Sequence, residues 1–317
     1  MKYLKFLIAS LSLCIIFIAP FAVLGQDGTE IAVINRDESS GTREFFYDFV
    51  MKKTDFTSNV IEKNSNGAVH DSVRDTPAAI GYVGLGFLDD EVKAILITED
   101  GSQVEPTVAN VRSGEYPVAR NLNMITNGPP DAGIEEEFLN FVLSQEGQDL
   151  IEEEGFVPLE PQAWTKPSSL SGTLSIAGST TVQPIAAVCA EEFMNQFPGV
   201  TITVAGGGSS TGVTAVGQDT VDIGMASRDV KTSEFDSYPD LEPVVVANDG
   251  ISIIVNLANS LVELTLDEVK AIYNGTITTW EEVDGSILAT SGFAIVMLFG
   301  ALLALPVLKI ARKQRKE

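Results

Sequence analysis

Apolar positions along the chain change period several times, and each change falls on a cluster of small polar residues. Residues 31–34 (IAVI) read as a short strand, and Phe45, Phe46, Phe49 and Val50 then recur at helical spacing, predicting a helix over 43–53. Residues 64–68 (NSNGA) read as a loop and Thr76-Pro77 as a break. The apolar, glycine-bearing run 78–88 reads as a buried strand, with a second strand over 92–97. Residues 134–154 predict one helix with Phe138, Phe141, Val142, Leu150 and Ile151 on one side, glutamates on the solvated side, and Gly155 as its stop. A Pro/Ser-rich connector follows over 160–171.

The second half repeats the plan. Residues 174–199 read as a strand, a Gly-Ser-Thr-Thr turn and a helix that starts near Pro184 and stops at Pro198-Gly199. Residues 201–218 give a strand, a glycine-rich turn and a short helix, and 221–230 a short strand ending in a polar turn. Thr265 and Glu268 form a capping box for a helix that reaches Tyr273 and ends at Gly275. Asn274-Gly-Thr276 fits both a helix C-cap and a glycosylation acceptor. Strands alternating with helices predict an α/β fold with parallel pairing, whose ligand lies at the carboxyl ends of the strands. The Ser/Thr/Gly-rich turns all fall at that end.

Two long apolar runs change the picture of where such a fold would reside. Residues 1–25 carry Lys2 and Lys5 before an apolar stretch, the pattern of a secretory signal peptide or an uncleaved anchor. Residues 287–310 are uncharged up to Lys309, and a helix needs about 20 apolar residues to cross a bilayer. Arg312, Lys313, Arg315 and Lys316 follow, so 311–317 is expected to be a cytoplasmic basic tail, with the body extracytoplasmic. The localisation expected is therefore the cell membrane, through one C-terminal transmembrane helix.

Composition then narrows the chemistry. The 317 residues include 44 acidic and 20 basic side chains, a net charge of −24, which argues against a nucleic-acid partner. Cys14 lies in the leader and Cys189 is left without a disulfide partner, and with one histidine no zinc or copper cluster is expected. His70 reads as a surface or loop histidine, and Trp164 and Trp280 as packing residues. Gly206-Gly207-Gly208 is not followed by Lys-Ser/Thr, so it is no nucleotide loop, and Ser209 lacks the frame of a nucleophile elbow.

What remains is a seat for an oxyanion. Free N–H groups at helix starts, hydroxyls and arginine together suit such a ligand. Arg36 and Arg228 each follow a predicted strand beside hydroxyl-bearing turns. Asp37 and Glu38, next to Arg36, would make sense as acceptors for a proton carried by the ligand, favouring hydrogen phosphate over sulfate.

The motifs RDESSGTREFF, SNGAV, AIGYVGLG and SQEGQDLI…GFVPL in the first half, with AGSTTVQPI, GGGSSTGV, DIGMASR, NDGISIIVN and LTLDEVKAIYNGTITTW in the second, resemble the substrate-binding proteins of phosphate-specific ABC transporters. The resemblance spans residues 31–283. It implies a two-lobed, type II periplasmic-binding-protein-like α/β fold that closes over inorganic phosphate and delivers it to an ABC permease, without enzymatic activity or cofactor. By motif, Arg36, Ser40, Gly41 and Thr42 would bind from one lobe, and Thr180, Ser209 and Ser227 or Arg228 from the other. Some members place an acidic acceptor at the Ser227-Arg228 turn; Asp37, Glu38 or Asp249 would have to replace it here.

The halves stand in reversed order relative to that family, the pattern of a circular permutation. One lobe is then expected to be continuous over 116–256, containing the connector, and the other split between 30–115 and 257–283. A swapped dimer would satisfy the same contacts, but intramolecular pairing has the higher effective concentration, so a monomer is expected. The competing functions are a phosphate sensor or envelope scaffold without transport, and a phosphomonoesterase-like enzyme.

Overall fold

A 16-residue strand near the end of the body, β11 (Leu241–Asn256), belongs to both halves of the molecule. The computed structural model describes residues 30–99 and 101–283. In chain order these begin with β1 (Ala32–Arg36), α1 (Gly41–Phe49), β2 (Ile61–Lys63), α2 (Asn66–Asp75), β3 (Ala79–Gly84), β4 (Val92–Ala94), β5 (Leu96–Glu99), β6 (Ser102–Val104) and α3 (Val108–Ser113). They continue with β7 (Ala119–Asn127), α4 (Ile134–Leu143), α5 (Gln145–Glu153), β8 (Ser171–Gly178), α6 (Gln183–Gln196), β9 (Gly199–Gly206), α7 (Ser209–Gly217), β10 (Ile223–Ala226) and α8 (Thr232–Ser237). After β11 come β12 (Glu263–Thr265) and α9 (Leu266–Tyr273).

The main sheet runs β2-β1-β3-β11-β7-β10-β8-β9, with β4 also pairing β11; β12, β5 and β6 form a second sheet. At each end of the main sheet the pairing is parallel, β2-β1-β3 on one side and β10-β8-β9 on the other. Between them β11 is antiparallel to β7 up to Gly250 and antiparallel to β3 from Ile251. Each parallel group packs its own core. Phe46, Tyr82 and Tyr273 anchor one, with the Phe46 and Tyr82 rings stacked at 4.1 Å; Phe138, Phe141 and Phe193 anchor the other. Truncating such a buried ring to alanine costs about 3–5 kcal/mol. Ile251, Ile253 and Val255 of β11 pack in the first core, and Val246 and Ala247 in the second, so the handover falls inside the strand.

Several local expectations change for identifiable reasons. Residues 134–154 form two helices, because Ser144 adopts an extended backbone and its hydroxyl caps α5 through the Gly147 amide at 3.3 Å. The strand over 92–97 splits at buried Ile95, whose amide bonds to Ile253 O, so that β4 and β5 enter different sheets. The loop at Asn64–Ala68 is shorter than expected: Ser65 caps α2 and Asn66 already opens it. His70 is not on a loop surface but on the inner side of α2, 7 % exposed, with Nε2 at 2.9 Å from Asp89 Oδ1.

Trp164 packs on Phe141 at 5.4 Å and Trp280 is 4 % exposed, as packing residues should be. Cys189 is buried in the second core. Among the described residues no helix is long and apolar enough to cross a membrane. The segments 1–25 and 287–317 expected to contact or cross one lie outside the described residues.

Candidate functional site

Four helices begin at one place between the two cores. Ser40 caps α1 by accepting from the Arg43 amide at 3.2 Å, and Ser65 caps α2 by accepting from the Ala68 amide at 3.1 Å. Ahead of α6, Ser179 Oγ accepts from the Thr181 amide at 3.2 Å. Gly208, with φ +94°, turns the chain into α7, whose first residue Ser209 is fully buried. Helix starts leave their first amides without intrahelical partners and carry partial positive charge. Four of them meeting at hydroxyl-bearing residues make an environment for negative charge.

The contacts that bring them together cross between the lobes. Thr42 Oγ1 lies 3.1 Å from Thr181 Oγ1. Asn66 Nδ2 donates to Thr181 Oγ1 at 2.9 Å and reaches Thr180 Oγ1 at 3.4 Å. Gly41 comes so near α7 that a Cβ there would stand 2.2 Å from Ser209 Oγ. Gly208 is as tight, since its Cβ would stand 2.3 Å from Ser39 Oγ, and the Ser210 amide donates to Ser39 O at 3.2 Å. The lobes are closed on each other, and Ser40, Thr42, Asn66, Ser179, Thr181, Ser209 and Ser227 are all buried at the closure. Ser209 Oγ also takes the Ser227 amide at 3.0 Å, which ties the turn after β10 to the start of α7.

Three arginines stand around this point in different roles. Arg36 is 1 % exposed; its Nε and Nη2 donate to Lys63 O and Asn64 O, each at 3.2 Å, which fixes the plane of the guanidinium. Among the described residues no carboxylate lies within 4.0 Å ion-pair distance of Arg36. Burial lowers its pKa from the ordinary arginine value, a sign of a cation held out of water without a full counter-charge. Arg228 is engaged elsewhere: Nη2 lies 2.7 Å from Glu234 Oε1 of its own lobe, and Nε lies 2.6 Å from Glu44 Oε2 of α1, close but without hydrogen-bond alignment. Lys231 Nζ reaches the other Glu44 oxygen at 2.8 Å, so the pair of cations straps α1 to the second lobe at the rim.

Arg120, the second residue of β7, had no motif to announce it. It stands opposite Asp249 in the β7–β11 ladder and donates to Asp249 Oδ2 from Nε at 3.1 Å and Nη2 at 2.8 Å. Nη1 donates to Ser227 O at 3.1 Å and Nη2 reaches Thr181 Oγ1 at 3.4 Å. The available signal was that Arg120 is the one charged residue of β7 and Asp249 the one charged residue in the interior of β11. Asn66 and Thr181 were also missed, although both sit inside motifs already singled out.

The remaining carboxylates sit away from the closure or are occupied. Asp37 Oδ1 accepts from the Ser39 amide at 3.1 Å and the Ser39 hydroxyl at 2.6 Å, closing a turn. Glu38 is exposed and faces a groove of about 910 Å³ on the outer side of α1, with Tyr47, Asp48 and Phe56. Asp249 is fully buried; burial pushes its carboxyl above the ordinary range, against the opposing pull of Arg120. Away from the closure, His70, Asp89 and Glu91 bring ligand atoms within 4.8 Å of one another. Arg74 Nη1 sits 3.2 Å from Glu91 Oε2, so that carboxylate is already paired with a guanidinium.

Two α/β lobes joined by shared strands and closed over a hydroxyl-lined seam define a periplasmic-binding-protein-like fold. The family model for the PBP superfamily domain matches residues 23–146 and 165–297. Phosphate-binding protein PstS 2 of Streptococcus agalactiae is 32 % identical over 262 residues, covering 80 % of this chain and 87 % of that one. Its counterpart in Streptococcus pneumoniae is 34 % identical over the same length, with the same coverage. The crystal structure of a phosphate-binding protein of a phosphate ABC transporter from Streptococcus pneumoniae superposes with a TM-score of 0.64 at 32 % identity, covering 80 % of this chain and 100 % of that one. The chain belongs to the PBP superfamily, in the family of the PstS phosphate-binding proteins. These relatives are binding proteins of transporters, not enzymes.

Proposed function

We propose that the protein captures inorganic phosphate outside the cell between its two lobes and hands it to an ABC permease, tethered to the membrane by residues 287–310. The observation that carries this reading is Arg36: a buried cation with no carboxylate partner among the described residues, beside four converging helix starts. Leaving a charge buried and uncompensated is costly, and a bound anion would supply the missing charge. Ser40, Gly41 and Thr42 would contact the anion from one lobe, with Asn66 beside them. Thr180, Thr181, Ser209 and Ser227 would do so from the other. Arg228 would act at the rim, holding the lobes shut through Glu44.

The reversed order of the motifs supports a circular permutation, with 116–256 as a continuous lobe and 30–115 plus 257–283 as a split one. Glu30 bridges Thr279, so the two ends of the described body leave from neighbouring points of the split lobe. In a tethered molecule that lobe would stay near the bilayer while the other swings. A monomer supplies every inter-lobe contact described above from one chain.

Calorimetric titration of the ligand-stripped protein with phosphate, then sulfate, tests the reading. One phosphate per chain is the expected result; a flat trace from demonstrably folded protein would overturn it. Co-purification of a permease with the membrane-bound chain, and phosphate uptake lost on its deletion, separates a transporter component from a sensor or scaffold.

A further inference from the structure

We infer that Asp249 and Arg120 act as one charge-setting unit beneath the anion seat, with Asp249 as a positioning residue for Arg120 and not as the acceptor of a ligand proton. This rests on the phosphate reading and names what the floor of that site selects.

The first argument is a count of lone pairs. A carboxylate offers about four acceptor positions. Asp249 Oδ2 receives Arg120 Nε and Nη2, and Oδ1 receives the Leu85 amide at 2.9 Å. Three of those positions are thus taken by buried donors, and none of the three is free to leave without stranding a buried N–H. A ligand hydroxyl would have to compete with them for a carboxylate that is itself fully buried.

The second argument is placement. Asp249 meets the seat through Arg120, whose two terminal nitrogens hold Ser227 O and Thr181 Oγ1. Ser227 and Thr181 are thus held from below by one rigid fork, and the fork is held by Asp249. Through the Leu85 amide the same carboxylate grips the start of the turn after β3, in the other lobe. Three buried ionisable groups face this pair, from β1, β3 and the residues ahead of β7: Arg36, Tyr82 and Tyr116. Both phenols are pushed well above their ordinary value by burial and stay neutral.

The third argument is charge. Arg36 and Arg120 contribute two buried positive charges and Asp249 one negative charge, leaving one net positive charge beneath the seat. Removing the Asp249 charge would leave two. The seat would then favour more strongly charged anions, whatever their protonation chemistry.

The test uses the full-length protein in detergent micelles, wild type and Asp249→Asn, titrated with inorganic phosphate and with sulfate between pH 6 and pH 8.5. The expected result is that D249N binds both anions at least about 3-fold more tightly at pH 8.5, with the phosphate-to-sulfate ratio unchanged. Its phosphate affinity should also rise more steeply with pH than the wild type's, as the ligand becomes a dianion. A fall in the ratio of about 10-fold or more, with phosphate weakened and sulfate improved, would identify Asp249 as the proton acceptor and overturn the inference. Unchanged affinities for both anions would overturn it as well.

Because D249N strands a buried guanidinium and could fail to fold, the paired replacement R120M/D249L is measured alongside. It is expected to fold and to weaken both anions together, with the ratio kept. Loss of phosphate alone in that variant would again overturn the inference. A wild-type chain that binds neither anion overturns the phosphate reading and this inference with it, whereas a binding wild type with a collapsed ratio in D249N overturns only the inference.

Discussion

The hydroxyls of Thr42 and Thr181, 139 residues apart in the chain, meet at 3.1 Å between the two lobes. Thr181 Oγ1 is also the partner of Asn66 Nδ2 and of Arg120 Nη2, so one oxygen joins α1, α2, β7 and the turn before α6. Thr181→Val keeps the shape and removes that oxygen. Phosphate affinity is expected to fall by about 10- to 100-fold, the effect of stranding buried donors worth about 1–3 kcal/mol. Calorimetry on the variant checks this, and a loss under about 2-fold, less than half a kcal/mol, would remove Thr181 from the centre of the site.

Gly41 separates closure from folding. Its Cβ would stand 2.2 Å from Ser209 Oγ in the opposite lobe, so Gly41→Ala obstructs the closed form while leaving each core intact. The unliganded variant should melt within about 2 °C of wild type, since no core contact is lost. It should bind phosphate at least about 100-fold more weakly, a closure penalty of about 3 kcal/mol. Small-angle scattering with excess phosphate would report a molecule that stays extended; compaction equal to wild type would contradict this.

At the rim, Glu44 is 25 % exposed and faces Arg228 at 2.6 Å and Lys231 at 2.8 Å. The half-exposed Lys231 pair contributes little, so the effect is assigned to buried Arg228. Glu44→Gln should speed phosphate release by about 3- to 10-fold with a small change in association rate, because the strap forms after the ligand has entered. Added salt should accelerate release from wild type more than from the variant. Stopped-flow release measurements at two ionic strengths decide it.

Glu234 gives the acid side of stability. Burial pushes its carboxyl up, but hydrogen bonds from Arg228 and the Lys231 amide outweigh that and hold its folded pKa below the ordinary value. A depressed carboxyl contributes stability above its unfolded pKa, and loses it as pH falls through the folded one. The advantage of wild type over Glu234→Gln in chemical unfolding should therefore be constant from about pH 5 upward and shrink below about pH 4.3. An advantage that grows on acidification would contradict the assignment.

How much of this was legible beforehand depended on whether the deciding contact was local. The turn-rich starts of α1, α6 and α7 could be read because capping and glycine chemistry act within a few residues. The break at Ser144 escaped because glutamine, glutamate and leucine on both sides all favour helix, and only the extended backbone of one residue separates α4 from α5. His70 looked like a loop residue because Asn66 and Gly67 read as a turn, yet they open α2 and carry the imidazole inward onto Asp89. Arg228 and Arg36 had the same sequence setting. Their difference is made mostly by segments far away in the chain: Glu44 joins nearby Glu234 around Arg228, whereas the carbonyls of Lys63 and Asn64 surround Arg36. Arg120 and Asp249 were invisible as a pair, since nothing local says that β7 and β11 lie side by side in that register.

The Glu30–Thr279 bridge has a mechanical meaning. Stretching the molecule between its two ends loads the first core directly, while the second core hangs inside a loop of chain running from β7 into β11 and bears no tension until the first gives way. Under a pulling force the protein should therefore rupture in a fixed sequence of two events, the lobe at the ends first and the enclosed lobe second.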